Sequence, residues 1–291
     1  MPTSILPTRT SQDSDSLLSW LTFGERYLQE RGLTEPRREA TALLFSLLSL
    51  KRIDLYRDPD LRVSEKDQAV FLEWLSRRSL HEPLQYITGE VEFCGLTFFV
   101  APGVFIPRPE TELMVELAAA LNPKNILDIC TGTGALAITL AKQFPSAKVT
   151  AIDCSKLALE TAHLNQKRHQ TNVLFLEGDL FSPCRENQDL YDLIVCNPPY
   201  IPEEDTDQMD KEVLLYEPSL ALFSPDDGMA HIKKVLTDAP SFLAQNGTLM
   251  LEIGKGQSHT LLDFIKETTI FSVRVIEDLS GIDRILVCSN G

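Results

Sequence analysis

Apolar and polar positions change their spacing along the chain, and this divides the sequence into two parts. Before residue 80, apolar residues recur every three or four positions, as they do on one face of an amphipathic helix. Ser64, followed by Asp67, has the pattern of a helix N-terminus. We therefore predict a small helical bundle over residues 1–82. The apolar faces consist of Leu17, Leu18, Leu21 and Leu28; of Ala40, Leu43, Leu44, Leu47 and Leu48; and of Val70, Phe71, Trp74 and Leu75.

After the helical part, short apolar runs alternate with helical segments. Residues 83–112, rich in Phe, Val and Thr, predict a β-hairpin that links two domains. Over residues 113–291 the runs NILDIC, KVTAID, NVLFLE, LIVCN and TLMLEI predict a parallel sheet covered by helices. The last two runs, FSVRVIED and DRILVCS, are separated by four residues, which is too short for a helical crossover. The pattern predicts an α/β, Rossmann-like sheet of seven strands with an antiparallel last strand.

Charge and cysteine content limit the classes of ligand and the cellular compartment that fit this sequence. Residues 1–80 carry 12 basic and 12 acidic residues, so the net charge of −15 lies entirely in the remainder. An acidic main domain argues against duplex DNA as substrate and is compatible with a cationic ligand or a basic protein partner. The six cysteines show no CxxC spacing, as is typical of reduced thiols in the cytoplasm. We find no signal peptide and no membrane-spanning stretch.

Three predicted strands end in residues that suit a nucleoside ligand. The turn LDICTGTGALAI places glycines at a helix start, where a ligand can approach the backbone. Asp153 ends the next strand, where a carboxylate can accept both hydroxyls of a ribose, and Asp179 and Leu180 follow the third. Taken singly, the glycine turn could be an ordinary tight turn, Asp153 could serve as a helix cap, and Asp179 could be a solvated loop carboxylate. Together they line the edge where open α/β sheets bind ligands.

The fourth strand runs directly into Asn197-Pro198-Pro199-Tyr200. Proline fixes φ and donates no N–H, so the strand must stop there in a rigid loop. The Asn197 side chain and the Pro198 carbonyl are two adjacent acceptors, which suit a planar NH₂ group with two donors. Tyr200 offers a flat surface to the face of that group.

These motifs together resemble class I S-adenosylmethionine-dependent methyltransferases that act on planar amino groups. The segments EPLQYITGEVEF and FIPRPETE, the YEP at residues 216–218 and DLSGIDR resemble more narrowly the protein-(glutamine-N5) methyltransferases of the HemK type. The resemblance covers essentially the whole chain. It implies methylation of the glutamine in the GGQ tripeptide of bacterial peptide chain release factors.

The resemblance also implies roles for particular residues. Cofactor contacts fall on Cys130, Thr131, Gly132, Thr133, Gly134, Asp153, Asp179, Leu180 and Asn197, and substrate contacts on Asn197, Pro198, Pro199 and Tyr200. The chain departs from the family at Cys130, where the family usually has Gly, and at Leu215, where it often has Arg. A side chain at position 130 leads us to expect a negative φ there.

The implied reaction transfers a methyl group from S-adenosylmethionine to the glutamine N5, leaves S-adenosylhomocysteine and needs no metal. Asn197, Pro198 and Tyr200 would act by positioning the amide. The helical domain would hold the release factor, and the enzyme is expected to be a cytoplasmic monomer with no membrane or direct nucleic-acid partner. The alternatives are a ribosomal-protein glutamine, an adenine N6 in nucleic acid, or a non-catalytic adaptor that only binds the cofactor.

Overall fold

A computed structural model describes residues 14–58, 60–185, 189–269 and 271–289. The chain divides into a helical unit, residues 1–89 with Asp210–Tyr216, and a sheet unit, Glu90–Met209 with Glu217–Gly291. The first 13 residues of the predicted helical domain lie outside the described part. The helices are α1 Leu17–Gln29, α2 Pro36–Leu48, α3 Arg52–Arg57, α4 Glu65–Ser79, α5 Leu84–Thr88, α6 Glu112–Ala118, α7 Ala135–Gln143, α8 Lys156–His169, α9 Lys211–Tyr216, α10 Ala230–Asp238 and α11 Ser258–Thr268. The strands are β1 Glu90–Phe93, β2 Leu96–Phe99, β3 Asn125–Ile129, β4 Lys148–Asp153, β5 Val173–Glu177, β6 Tyr191–Cys196, β7 Leu243–Glu252, β8 Ser272–Glu277 and β9 Asp283–Ser289.

The helical unit forms its own apolar core from the faces that the sequence pattern indicates. Leu21, Leu43 and Phe71, one from each of α1, α2 and α4, are fully buried in it, whereas Leu18 is 46% exposed. The Ser64 hydroxyl accepts a hydrogen bond from the Asp67 backbone N–H, so the predicted start of α4 is correct. Burial of these faces drives the packing of short helices that would not be stable alone.

Helix α9 belongs to the helical unit although its sequence lies far along the chain. The buried Arg78 guanidinium is paired with Glu39 at 2.5 Å and with Glu212 of α9 at 2.7 Å. The Tyr216 hydroxyl donates to the Leu80 carbonyl at 3.0 Å. Burial of a guanidinium costs free energy unless carboxylates pair with it, so the ion pair with Glu212 accounts for the attachment of α9 to this unit. The sequence pattern assigns this segment to the domain over residues 113–291.

The β-hairpin begins at Glu90 and not at residue 83, because residues 84–88 form α5 of the helical unit. Strands β1 and β2 pair antiparallel from Glu90 opposite Phe99 to Phe93 opposite Leu96. Phe93 and Phe98 are buried against the sheet unit's core together with Met114 of α6. The hairpin is therefore a packed part of the sheet unit.

The sheet has the order β5-β4-β3-β6-β7-β9-β8, and β9 runs antiparallel to both of its neighbours. This confirms the predicted seven-stranded sheet with its antiparallel last strand. Successive side chains of each strand point to opposite faces of the sheet. In β3, Leu127 and Ile129 pack in one core with α10 and α11, and Ile126 packs in the other core with α6 and α7. Strands β3, β4, β5, β6 and β7 are parallel, so their carboxyl ends meet at one edge.

Candidate functional site

The glycine-rich turn lies between β3 and α7, as predicted. Gly132 and Gly134 have φ of 57° and 76°, and Gly134 immediately precedes α7. A Cβ at Gly132 would meet open space, whereas one at Gly134 would contact Ala162 at 3.1 Å. Gly132 therefore keeps the backbone accessible to a ligand, and Gly134 allows close packing beneath the turn.

The expected negative φ at Cys130 is wrong, since its φ is 60°. The backbone must turn sharply there, because the N–H of the next residue, Thr131, donates to the Ile152 carbonyl of the neighbouring strand at 3.0 Å. The left-handed conformation costs a non-glycine residue on the order of 1 kcal/mol. The half-buried thiol packs beside that of Cys196, at the end of β6.

Asp128 is a buried carboxylate beneath the turn, with 1% exposure. It accepts a hydrogen bond from the Thr131 hydroxyl at 2.6 Å and another from the Ala137 N–H at 3.2 Å. Desolvation raises its pKa to about 7, although both hydrogen bonds oppose the shift. The two hydrogen bonds that Asp128 accepts thus stabilise the glycine-rich turn from its buried side.

Asp153 lies at the end of β4 next to the glycine turn. Its two oxygens accept the backbone N–H groups of Gly132 at 2.8 Å and Ser155 at 2.9 Å. The Cys154 N–H also contributes a backbone hydrogen bond to this carboxylate, and since a carboxylate has about four acceptor positions, it can still accept from a further donor. Burial raises the pKa of Asp153, and the backbone hydrogen bonds lower it in part.

The residues after β5 lie at the same edge but differ in exposure. Asp179 is exposed and paired with Lys234 at 2.5 Å, an ion pair of small energetic weight in water. Leu180 has φ of 48° and is 4% exposed, with its side chain in the core of the sheet unit. Asp179 is thus accessible to a ligand, whereas Leu180 offers it little surface.

The NPPY segment follows β6 directly beside the glycine turn, because Ile129 and Cys196 are paired across β3 and β6. Both prolines are buried, whereas Asn197 and Tyr200 are partly exposed. The Asn197 Nδ2 donates to the Thr111 hydroxyl at 3.1 Å. Its Oδ1 accepts no hydrogen bond from any residue that the structure describes, so this acceptor is available at the edge.

Three residues that sequence reasoning missed hold the NPPY segment. Glu252, at the end of β7, accepts from the Thr111 hydroxyl at 2.7 Å and from the Tyr200 hydroxyl at 3.0 Å. The Gln257 side chain donates to the Tyr200 carbonyl at 2.9 Å. One signal was visible in the sequence: a single acidic residue, Glu252, within the otherwise apolar run TLMLEI.

A further ion pair fixes the segment before α6. Glu217, of the YEP segment, is buried and paired with Arg108 of the FIPRPET segment. It also accepts from the Ile106 N–H at 3.2 Å. Leu215, the second departure from the family pattern, is 63% exposed.

Within the described residues there is neither a candidate metal site nor a candidate membrane span. No group of three or more histidine, cysteine or acidic side chains there is arranged to hold a metal ion. None of the helices in the described part of the chain has both the length and the apolar character that a membrane crossing needs.

Two protein-family models match the chain. The PrmC N-terminal domain matches residues 19–89, and the methyltransferase small domain matches residues 95–225. The first match lies within the helical unit. The second contains the glycine turn, Asp153, Asp179 and NPPY.

Whole-chain similarity gives the same family. A release factor glutamine methyltransferase of Geobacter sulfurreducens is 40% identical over 89% of this chain and 92% of its own length. One from Nitratidesulfovibrio vulgaris is 36% identical over 96% of both chains. A solved methyltransferase from Pyrococcus furiosus shares the fold, with a TM-score of 0.51 and 20% identity over 78% of this chain and all of its own. This protein belongs to the release factor glutamine methyltransferase family.

Proposed function

We propose that this protein transfers a methyl group from S-adenosylmethionine to the side-chain amide nitrogen of the GGQ glutamine in peptide chain release factors. The names of its full-length relatives support the substrate class. The free acceptor on Asn197 is the observation that carries the proposal, because the chemistry requires a group that holds an amide NH₂ without competing donors.

The strand-end edge suits the cofactor. Gly132 leaves space above the backbone, and the Asp153 carboxylate has acceptor capacity left for a ribose hydroxyl beside its backbone hydrogen bonds. Bound S-adenosylmethionine would supply a methyl group on a positively charged sulfur. We assign its contacts to Cys130, Thr131, Gly132, Thr133, Gly134, Asp153, Asp179, Leu180 and Asn197.

The NPPY segment suits the substrate amide. In this proposal the Asn197 Oδ1 and the Pro198 carbonyl accept the two N–H bonds of the glutamine, and Tyr200 packs against the amide plane. Pro198 and Pro199 supply no competing N–H and hold the acceptors rigid. Glutamine nitrogen is a poor nucleophile, and positioning of this kind supplies up to ~7–11 kcal/mol of a barrier. A base is not needed beforehand, since the nitrogen becomes more acidic as the new bond forms.

We assign the binding of the protein substrate to the helical unit. Residues 1–80, which make up most of this unit, carry balanced charge, unlike the acidic remainder of the chain. Helix α9, which lies between NPPY and Glu217 in the sequence, is attached to it through Arg78 and Glu212. The chain that leaves the proposed active site thus enters the unit proposed to bind the release factor.

Mass spectrometry tests the function. The protein is incubated with S-adenosylmethionine and a bacterial release factor, and the peptide that contains GGQ is sequenced by fragmentation. We expect one added methyl group on the glutamine and none when that glutamine is replaced by alanine. A ribosomal protein with an accessible glutamine and an adenine-containing DNA are parallel substrates. Methylation of either one with the release factor unmodified would refute the proposal.

A further inference from the structure

Glu252 connects two parts of the proposed active site although it is 1% exposed. One carboxylate oxygen accepts from the Tyr200 hydroxyl, and the other accepts from the Thr111 hydroxyl. Thr111 in turn accepts from the Asn197 amide. One buried carboxylate therefore contacts the last residue of NPPY directly and the first through a hydroxyl.

With Glu252 ionised, the chemistry of these groups fixes the direction of the hydrogen bonds. An ionised carboxylate only accepts, so the Thr111 hydroxyl must donate to Glu252. The hydroxyl then has only lone pairs to offer Asn197, which must present its NH₂ and not its carbonyl. This leaves the Asn197 Oδ1 on the opposite side of the amide, as the acceptor that a substrate NH₂ needs. Burial raises the pKa of the Glu252 carboxyl, and the nearby Glu110 raises it further, whereas the hydrogen bonds from Thr111 and Tyr200 and the charge of Arg284 lower it.

The backbone of NPPY is held by other contacts. Gln257 donates to the Tyr200 carbonyl, and its Oε1 accepts from the Gly254 N–H. The Ile201 N–H donates to the Leu222 carbonyl at 3.0 Å. Replacing the Glu252 carboxylate by an amide therefore changes side-chain hydrogen bonding in a loop that is otherwise fixed.

We propose that Glu252 is a positioning residue that sets the orientation of the Asn197 amide through Thr111 and holds the Tyr200 ring by its hydroxyl. This inference rests on the proposed function, because the orientation matters for holding a substrate NH₂. A glutamine at 252 would offer one acceptor and one donor. If the NH₂ of that glutamine faced Thr111, the Thr111 hydroxyl would donate to the Asn197 carbonyl oxygen. The Asn197 amide would then be turned over, and its NH₂ would face the substrate NH₂, so that two donors would meet.

Kinetics on the full-length enzyme provide the first test. We expect E252Q and T111V to lower kcat roughly 10-fold or more, which is less than the ~10²-fold scale of deleting a preorganised polar partner outright, because these residues act through Asn197 and Tyr200. Cofactor affinity, measured by calorimetry with S-adenosylhomocysteine, should stay within about 2-fold, and T111S should restore most of kcat. We call the hydrogen-bonded chain from Glu252 through Thr111 to Asn197 the relay. Because both changes break this relay, the kcat of the double variant should be little lower than that of either single variant. The matched control is T139V, a buried threonine whose hydroxyl finds no partner among the described residues. It should leave kcat unchanged.

Side-chain NMR tests the relay without any activity. The Asn197 NH₂ signal of protein labelled with ¹⁵N-asparagine is assigned by its loss in N197D. We expect its hydrogen exchange to be slow in the parent and T111S, and fast in T111V. Parent-like exchange in T111V, or parent kcat in both E252Q and T111V, would overturn the proposal. A parent that fails to methylate release factors would refute the proposed function, and the exchange rates would still decide the relay.

Discussion

Replacement of Asp128 by asparagine should change how stability depends on pH. The carboxylate is buried, and its folded-state pKa is raised from 3.8 to about 7 by desolvation. A raised folded-state pKa means that the folded protein holds the proton more tightly than the unfolded chain. The contribution is favourable below about pH 4 and is lost as the pH rises towards about 7.

The size of the change in unfolding free energy follows from the difference between the folded-state and unfolded-state pKa values. Each pH unit between the two pKa values contributes about 1.4 kcal/mol, so the parent should lose about 2–3 kcal/mol of unfolding free energy from this group between about pH 5 and pH 8. Asparagine does not titrate and can still accept from Thr131. The stability of Asp128→Asn relative to the parent should therefore rise by that amount over the same interval.

Urea unfolding at the two pH values measures the difference. Far-UV circular dichroism is the appropriate signal, because both tryptophans, Trp20 and Trp74, lie in the helical unit and would not report on Asp128. The control is Asp263→Asn. Its Lys266 partner lowers the pKa of this exposed carboxylate below 3.8, so it stays ionised throughout. A parallel pH dependence for parent and Asp128→Asn would show that burial does not raise this pKa.

Three further changes test other parts of the account. Asp153→Ala should weaken S-adenosylmethionine binding by on the order of 2 kcal/mol, through loss of a charged acceptor for ribose hydroxyls, and an unchanged calorimetric affinity would remove Asp153 from the site. Cys130→Gly should relieve the positive φ and leave activity within a few-fold and stability equal or up to about 1 kcal/mol higher, whereas a large gain in cofactor affinity would mean that the thiol crowds the site. Tyr56→Ser, on the 82% exposed Tyr56 of α3, should raise the KM for an intact release factor and leave that for a short GGQ peptide unchanged, and equal effects on both would argue against a grip by the helical unit.

The arrangement of the sheet could be predicted because its signals are local. Apolar runs that end at Asp153 and Asn197, and one that is closely followed by Asp179, indicate parallel strands with polar residues at one edge. The proline pair fixed the end of β6 by backbone chemistry alone. Ser64 marked the start of α4 in the same way, since a capping hydroxyl satisfies a free N–H within its own turn.

The remaining features depend on residues that are distant in sequence. The φ of Cys130 is set by a hydrogen bond between Thr131 and Ile152 on the neighbouring strand. The attachment of α9 depends on Arg78, more than 130 residues earlier, finding Glu212. The relay through Thr111 joins three separate segments of the chain. Local patterns do not report on such contacts, because each partner separately looks like an ordinary polar residue.

The rate of methyl transfer by Asn197 variants tests the central claim most directly. A single turnover on a release factor is followed with saturating cofactor, and cofactor affinity is measured separately. Asn197→Ala removes one acceptor and should slow transfer by ~10²-fold or more with a much smaller change in affinity. Asn197→Asp keeps an acceptor but adds charge beside a cationic cofactor, so it should bind the cofactor equally or more tightly and still transfer slowly. Methylation of the GGQ glutamine at the parent rate by both variants would contradict the amide clamp.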